Sequence, residues 1–254
     1  PPPAPTPTPS AGSPIVDAGG PYQIVESASG ALTASGTEPH RNTPAPPLAP
    51  RPMSPPVTTA AVAEAKTLDD LRTLVETFDG CMLRRTATRT VFGDGPANAR
   101  LMVIGEAPGA DEDRSGTPFV GRAGQLLNKM LASINWPREA VYITNVVPWR
   151  PPGNRNPTPE EITLCLPFVL RAIDLVAPSA ILLLGASSAG AILNTTEGIT
   201  RIRGRWHTLE RPGLSIPVLP TFHPAFLLRF PDKKAFSWHD LLDLKSRIGT
   251  PPIE

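Results

Sequence analysis

Four short apolar runs constrain this chain most: Leu101–Ile104, Val141–Val147, Ala180–Leu184 and Ile216–Leu219. Each is too short for a core helix and is followed by turn residues or helical spacing, so each reads as a buried strand. Thr67 can cap a helix over Leu68–Phe78, with Leu68, Leu71, Leu74 and Val75 on one face. Ala123–Ile134 has the same periodicity. Thr158-Pro159-Glu160-Glu161 opens another helix with a cap, a proline at the first position and acids in the first turn, and that helix reaches about Val176. Ser187–Leu193 and Phe236–Ile248 complete the set. Apolar strands alternating with helices predict an α/β fold, a single three-layer domain with a central, mostly parallel four-stranded sheet flanked by helices.

Open parallel sheets bind ligands beyond the carboxyl ends of their strands. After the first strand come Gly105-Glu106-Ala107-Pro108-Gly109, and Asn145 lies inside the end of the second. Gly185 and Ser187 follow the third, and Thr221-Phe222-His223-Pro224 the fourth. A carboxylate, a carboxamide, small residues and an imidazole thus converge on one place. Asn145 sits within an apolar run, where a polar side chain needs a partner. His223 stands at a strand end with its backbone restricted by Pro224, whereas His40, His207 and His239 read as ordinary surface or capping residues. Close helix–sheet packing accounts for Ser187, Ser188 and Gly190. Beyond His223, the segment carrying Leu227, Leu228 and Arg229 is expected to be exposed, and exposed apolar side chains of this kind can enter between base steps of DNA. Arg150–Pro157 forms a rigid, basic loop on the same rim, suited to phosphate.

The totals narrow the class. The first 60 residues hold 16 of the 34 prolines and few apolar residues, so residues 1–60 are expected to be a disordered, Pro-rich segment, with one folded domain over 61–254. Net charge is +1, which gives no footprint for tight non-specific nucleic-acid binding. Two cysteines argue against a disulfide scaffold and fit a reducing compartment. No run is long enough to span a bilayer and no signal peptide opens the chain, so a cytoplasmic protein without membrane attachment is expected.

Familiar motifs are missing. The glycines at 105, 109 and 116 do not make G-x-G-x-x-G, and no Gly-Lys-Ser/Thr follows as in a P-loop. Ala189 breaks the G-x-S-x-G of a serine hydrolase. A flavodoxin-like nucleotide-binding enzyme is disfavoured for the same lack of phosphate motifs.

Three blocks, GEAPGADEDRSGTPFVGRAGQLL, YITNVVPWRPPGNRNP and TFHPAFLLR, closely resemble the signature blocks of the uracil-DNA glycosylase superfamily, nearest its iron–sulfur (family four) branch. The similarity runs in order from about Phe78 to Trp238. It implies a uracil-DNA glycosylase-like domain and a monofunctional DNA-repair hydrolase, which flips deoxyuridine from single- or double-stranded DNA, cuts the N-glycosidic bond and leaves an abasic site. A monomer working on nucleoid DNA is expected. A non-catalytic, damage-binding relative of the same fold is the alternative, and loss of Asn145 or His223 would be its mark.

By the resemblance, Phe119 stacks on the base and Asn145 reads its amide edge, while His223 donates to uracil O2. Gly105, Ala107 and Gly109 lie against the base and flanking phosphate. Glu106 either positions water or walls out the thymine methyl group, and Asp111 is a second carboxylate candidate. Arg155, Leu227, Leu228, Arg229 and Lys233 would meet DNA. The branch holds a four-iron cluster on four cysteines, but the matching positions here are Phe78, Cys81, Trp149 and Cys165. Two thiolates cannot hold such a cluster. No metal and no cofactor is therefore expected, with Phe78 and Trp149 filling the space.

Overall fold

The computed structural model describes residues 59–251. The Pro-rich segment expected over 1–60 lies outside these residues except for Thr59 and Ala60. Those two belong to helix α1 (Thr59–Glu64). Val62 and Ala65 are buried there.

Helix α2 (Leu68–Thr77) starts at a reciprocal cap, in which Asp70 N–H donates to Thr67 Oγ1 and Thr67 N–H to Asp70 Oδ2. After the short α3 (Leu83–Thr86) come β1 (Leu101–Gly105), α4 (Ala110–Ser115), α5 (Arg122–Ser133) and β2 (Val141–Asn145). Helix α6 (Pro159–Val176) opens with a cap at Thr158 and acids at 160 and 161, as expected. Strand β3 (Ala180–Leu184), α7 (Ala186–Leu193), α8 (Ile199–Ile202), β4 (His207–Arg211), β5 (Leu214–Thr221), α9 (Pro224–Arg229) and α10 (Lys234–Ile248) follow.

The sheet order is β2-β1-β3-β5-β4, with the first four strands parallel. The sheet therefore has five strands, not four. Strand β4 pairs antiparallel with β5 across the turn at Gly213 (φ +74°). It escapes a search for apolar runs because it is an edge strand with one face in solvent, so its residues His207–Arg211 alternate between exposed and half-buried. The three layers are as expected. Met102 and Ile104 of β1 enter the core under α2 and α6, while Leu101 and Val103 point to the core under α5 and α10. No helix among the described residues is long and apolar enough to cross a membrane.

Candidate active site

All four parallel strands end on one edge, and a cleft of ≈ 550 Å³ opens there. Glu106, Ala107, Gly109, Phe119, Asn145, Ser187, Phe222 and His223 line it, with Arg155 and Arg229 on its wall. Gly105, the last residue of β1, is buried behind this lining and does not itself face the cleft. A Cβ on Gly105 would sit 2.5 Å from both Asn145 Oδ1 and Phe119 Cζ. The carboxamide and the aromatic ring therefore meet over a bare backbone, and only glycine permits that.

The long loop between β1 and α5 is tied at both ends. Helix α4 lies inside it, and Glu112 is buried there. Its carboxylate accepts from Gly109 N–H (3.0 Å), Val120 N–H (3.0 Å) and Gly121 N–H (2.9 Å), so one side chain joins the start of the loop to its end. Arg138 donates to the carbonyls of Pro118 and Phe119. Phe119 takes a left-handed backbone (φ 54°). A Cβ on Gly124 would stand 1.8 Å from the Phe119 carbonyl oxygen, so α5 can abut the loop only through glycine. The result is a buried Phe119 ring 5.7 Å from the His223 ring.

Two groups have distinctive states. Asn145 Oδ1 is buried and has no hydrogen-bond partner among the described residues. Such an atom costs about 1–3 kcal/mol unless a ligand fills it. His223 caps α9, and its Nδ1 accepts from Ala225 N–H (3.1 Å). Burial, aided by the positive charge of Arg229, pushes its pKa down to about 4. The neutral ring therefore carries its proton on Nε2, the nitrogen not engaged in the cap. Glu106 accepts from Ser187 Oγ (2.9 Å), and burial raises its pKa.

Other expected site residues fall elsewhere. Asp111 is half exposed, pairs with Arg114 (3.3 Å) and does not line the cleft. Its neighbour Glu112 turns inward instead, and as the third residue after the Gly109 cap it carries the sequence signature of a capping acid. Leu227 is buried against the α5 side of the sheet, because the six-residue α9 turns Pro224 and Leu227 inward and Leu228 and Arg229 outward. Arg155 reaches the cleft wall through a two-pronged pair with Glu161 (2.7 and 2.8 Å). Lys233 lies off the cleft and pairs with Asp232. Ser187, assigned to packing in the sequence, orients Glu106.

The four cluster positions lie together on the far side, under α6. Phe78 and Trp149 stack at 6.2 Å, and Phe78 meets Phe168 edge-on at 5.1 Å. Trp149 Nε1–H donates to Thr90 Oγ1 (3.1 Å). Cys81 and Cys165 are buried as a thiol pair, and hydrogen bonding to Cys81 together with burial pushes the Cys165 thiol up. Two sulfurs with two bulky rings do not fit a four-iron cluster. Among the described residues, no group of three or more His, Cys, Asp or Glu side chains could hold a metal ion.

A doubly wound sheet thus brings an aromatic ring, an amide oxygen without a hydrogen-bond partner and a neutral imidazole together at its switch, an arrangement suited to flat, polar heterocycles. The comparisons narrow that class. The profile of the uracil DNA glycosylase superfamily matches residues 92–245. A type-4 uracil-DNA glycosylase of Archaeoglobus fulgidus is 42% identical over 170 residues, covering 65% of this chain and 85% of the relative. One from Thermotoga maritima is 42% identical over 156 residues, 61% and 80% of the two chains. A type-5 uracil-DNA glycosylase of Pyrobaculum aerophilum is 32% identical over 146 residues, 52% and 63% of the two. The chain belongs to the uracil-DNA glycosylase superfamily, and its likeness is greater to the type-4 than to the type-5 relative.

Proposed function

We propose that this protein is a monofunctional uracil-DNA glycosylase of base excision repair, acting as a cluster-free monomer on DNA in the cytoplasm. The buried, unpartnered Asn145 Oδ1 beside Phe119 carries the reading, because uracil supplies what it lacks. Uracil N3–H donates to Oδ1 and uracil O4 accepts from Nδ2. Cytosine presents the opposite pair, so the fixed amide rejects it.

The chemistry follows from the neutral His223. As the bond between the sugar C1′ and uracil N1 breaks, its electron pair leaves with the base and negative charge gathers on O2. Nε2–H of His223 donates to that oxygen and holds the charge. Water adds to C1′. Glu106, oriented by Ser187 and raised by burial, holds that water and takes its proton. The departed base takes up a proton at N1 from solvent and Glu106 releases its proton there, so the products are free uracil and an abasic site.

The direct test is incubation of the protein with uracil-containing single- and double-stranded oligonucleotides, followed by alkaline cleavage. Strand breaks confined to uracil positions are expected. An intact strand would leave the damage-binding alternative standing.

Two further results are expected. Purified protein should contain no stoichiometric iron and lack the broad absorbance near ~400 nm of an iron–sulfur cluster. A brown sample with about four irons per chain would mean that other ligands replace the two lost cysteines. Deletion of residues 1–58 should leave melting temperature and excision unchanged, because a Pro-rich, apolar-poor segment adds nothing to a core. A large fall in either would move the domain boundary.

A further inference from the structure

Large exposed apolar side chains cluster between residues 228 and 242, where Leu228, Phe230, Phe236, Trp238 and Leu242 all stand out of the core. Two of them extend the cleft. Phe222 on its wall packs at 4.9 Å on Phe226, and Phe226 at 4.8 Å on Phe230. Phe222 and Phe226 line the cleft, while Phe230 is 48% exposed. On the other side of Phe222, the Arg203 guanidinium, which is paired with Asp240, lies 5.4 Å from its ring and 5.2 Å from that of Phe236, which is equally exposed. Lys233 Nζ stands 5.9 Å from the Phe236 ring, although it also pairs with Asp232. A continuous row of ring faces and cations thus runs from inside the cleft to open solvent at both ends.

We propose that this row, with Phe230 and Phe236 as its outer faces, is a stacking platform for unpaired bases flanking the extruded uridine, and that it favours single-stranded DNA. The inference rests on the glycosylase reading, which brings a nucleotide into the cleft where the row begins. Continuity with the cleft and Arg229 on its wall select a polyanion with flat faces over an apolar partner, Arg203 and Lys233 being already paired with Asp240 and Asp232. In a duplex the flanking bases already stack on one another, so exposed rings gain little. In a single strand they are free, and aromatic stacking is tolerant of sequence.

The test uses the full chain and a fluorescein-labelled oligonucleotide carrying one 2′-fluoro-2′-deoxyuridine, which resists cleavage, as a single strand and as a duplex. Phe230→Ala is expected to weaken single-strand binding by on the order of 10-fold, with Phe236→Ala acting in the same direction. Phe230→Tyr should keep wild-type affinity, since its ring still stacks, and duplex affinity should change far less. Unchanged single-strand affinity in both alanine variants would overturn the platform. Equal losses on both DNAs would also overturn it and make Phe230 a duplex wedge. A wild-type dimer dissociated by Phe230→Ala in sedimentation velocity would overturn it in favour of a self-interface. Wild-type cleavage of an ordinary uracil strand, run alongside, separates the two readings. Failure to cleave defeats the glycosylase assignment, whereas cleavage with unaltered Phe230→Ala binding defeats only the platform.

Discussion

His223→Ala should lower the single-turnover rate of uracil excision by roughly 10²–10³-fold, the scale for deleting one donor to a developing oxyanion, with little change in uracil-DNA binding. The position of the proton decides this. Nδ1 is occupied by the Ala225 N–H, so only Nε2 can donate. His223→Asn is the informative companion, because a carboxamide can keep the cap or reach O2 but cannot span both as the imidazole does. The pH profile adds a second check. With a pKa near 4, His223 is already neutral throughout the range in which an ordinary histidine titrates. The wild-type rate should therefore show no inflection near pH 6.5 from this residue. Stability runs with the same sign. Between its ordinary value of 6.5 and about 4, the unfolded chain binds a proton that the folded chain refuses. The contribution is full above 6.5 and falls as pH drops towards 4. An inflection near 6.5 abolished by His223→Ala would show that the charged imidazolium, not the neutral ring, does the work.

Asn145→Asp should be more damaging to recognition, lowering kcat/KM for uracil by about 10³-fold or more, as expected when a site built to hydrogen-bond its substrate presents the wrong group. The ionised carboxylate can accept from N3–H but cannot donate to O4, and it places a charge beside O4 in a closed pocket. Asn145→Ala removes the amide without adding a charge, so about 10–10²-fold is expected. Both variants should weaken binding as well as chemistry, unlike His223→Ala. Kinetics with enzyme in excess, over a range of enzyme concentrations, separate the two. If Asn145→Asp excised uracil like the wild type, the amide edge would not be what this residue reads.

The residues central to these predictions were legible because they break a pattern. Asn145 interrupts an apolar strand and His223 precedes a proline at a strand end, and both positions follow from the parallel sheet. Less was legible where the answer depends on rotation about a short helix. Helix α9 has six residues, and no periodicity that short tells which of Leu227 and Leu228 faces inward; the α5 surface decides it. The exposure of Phe230, just past that helix, is not legible for the same reason. Asp111 and Glu112 are adjacent acids, and the cap at Gly109 singles out the second. Strand β4 lacked a signal because an edge strand needs no apolar run. Ser187 looked like packing because its partner, Glu106, lies 81 residues away.

The Glu112 clamp has a consequence for how such a protein inspects a genome. The loop over the base is joined end to end by three backbone hydrogen bonds before any DNA arrives. Its ordering entropy is settled once, at folding, and not at each encounter. On the proposed function, a cytosine that swings out therefore meets a finished mould, and it can be refused without the loop rearranging.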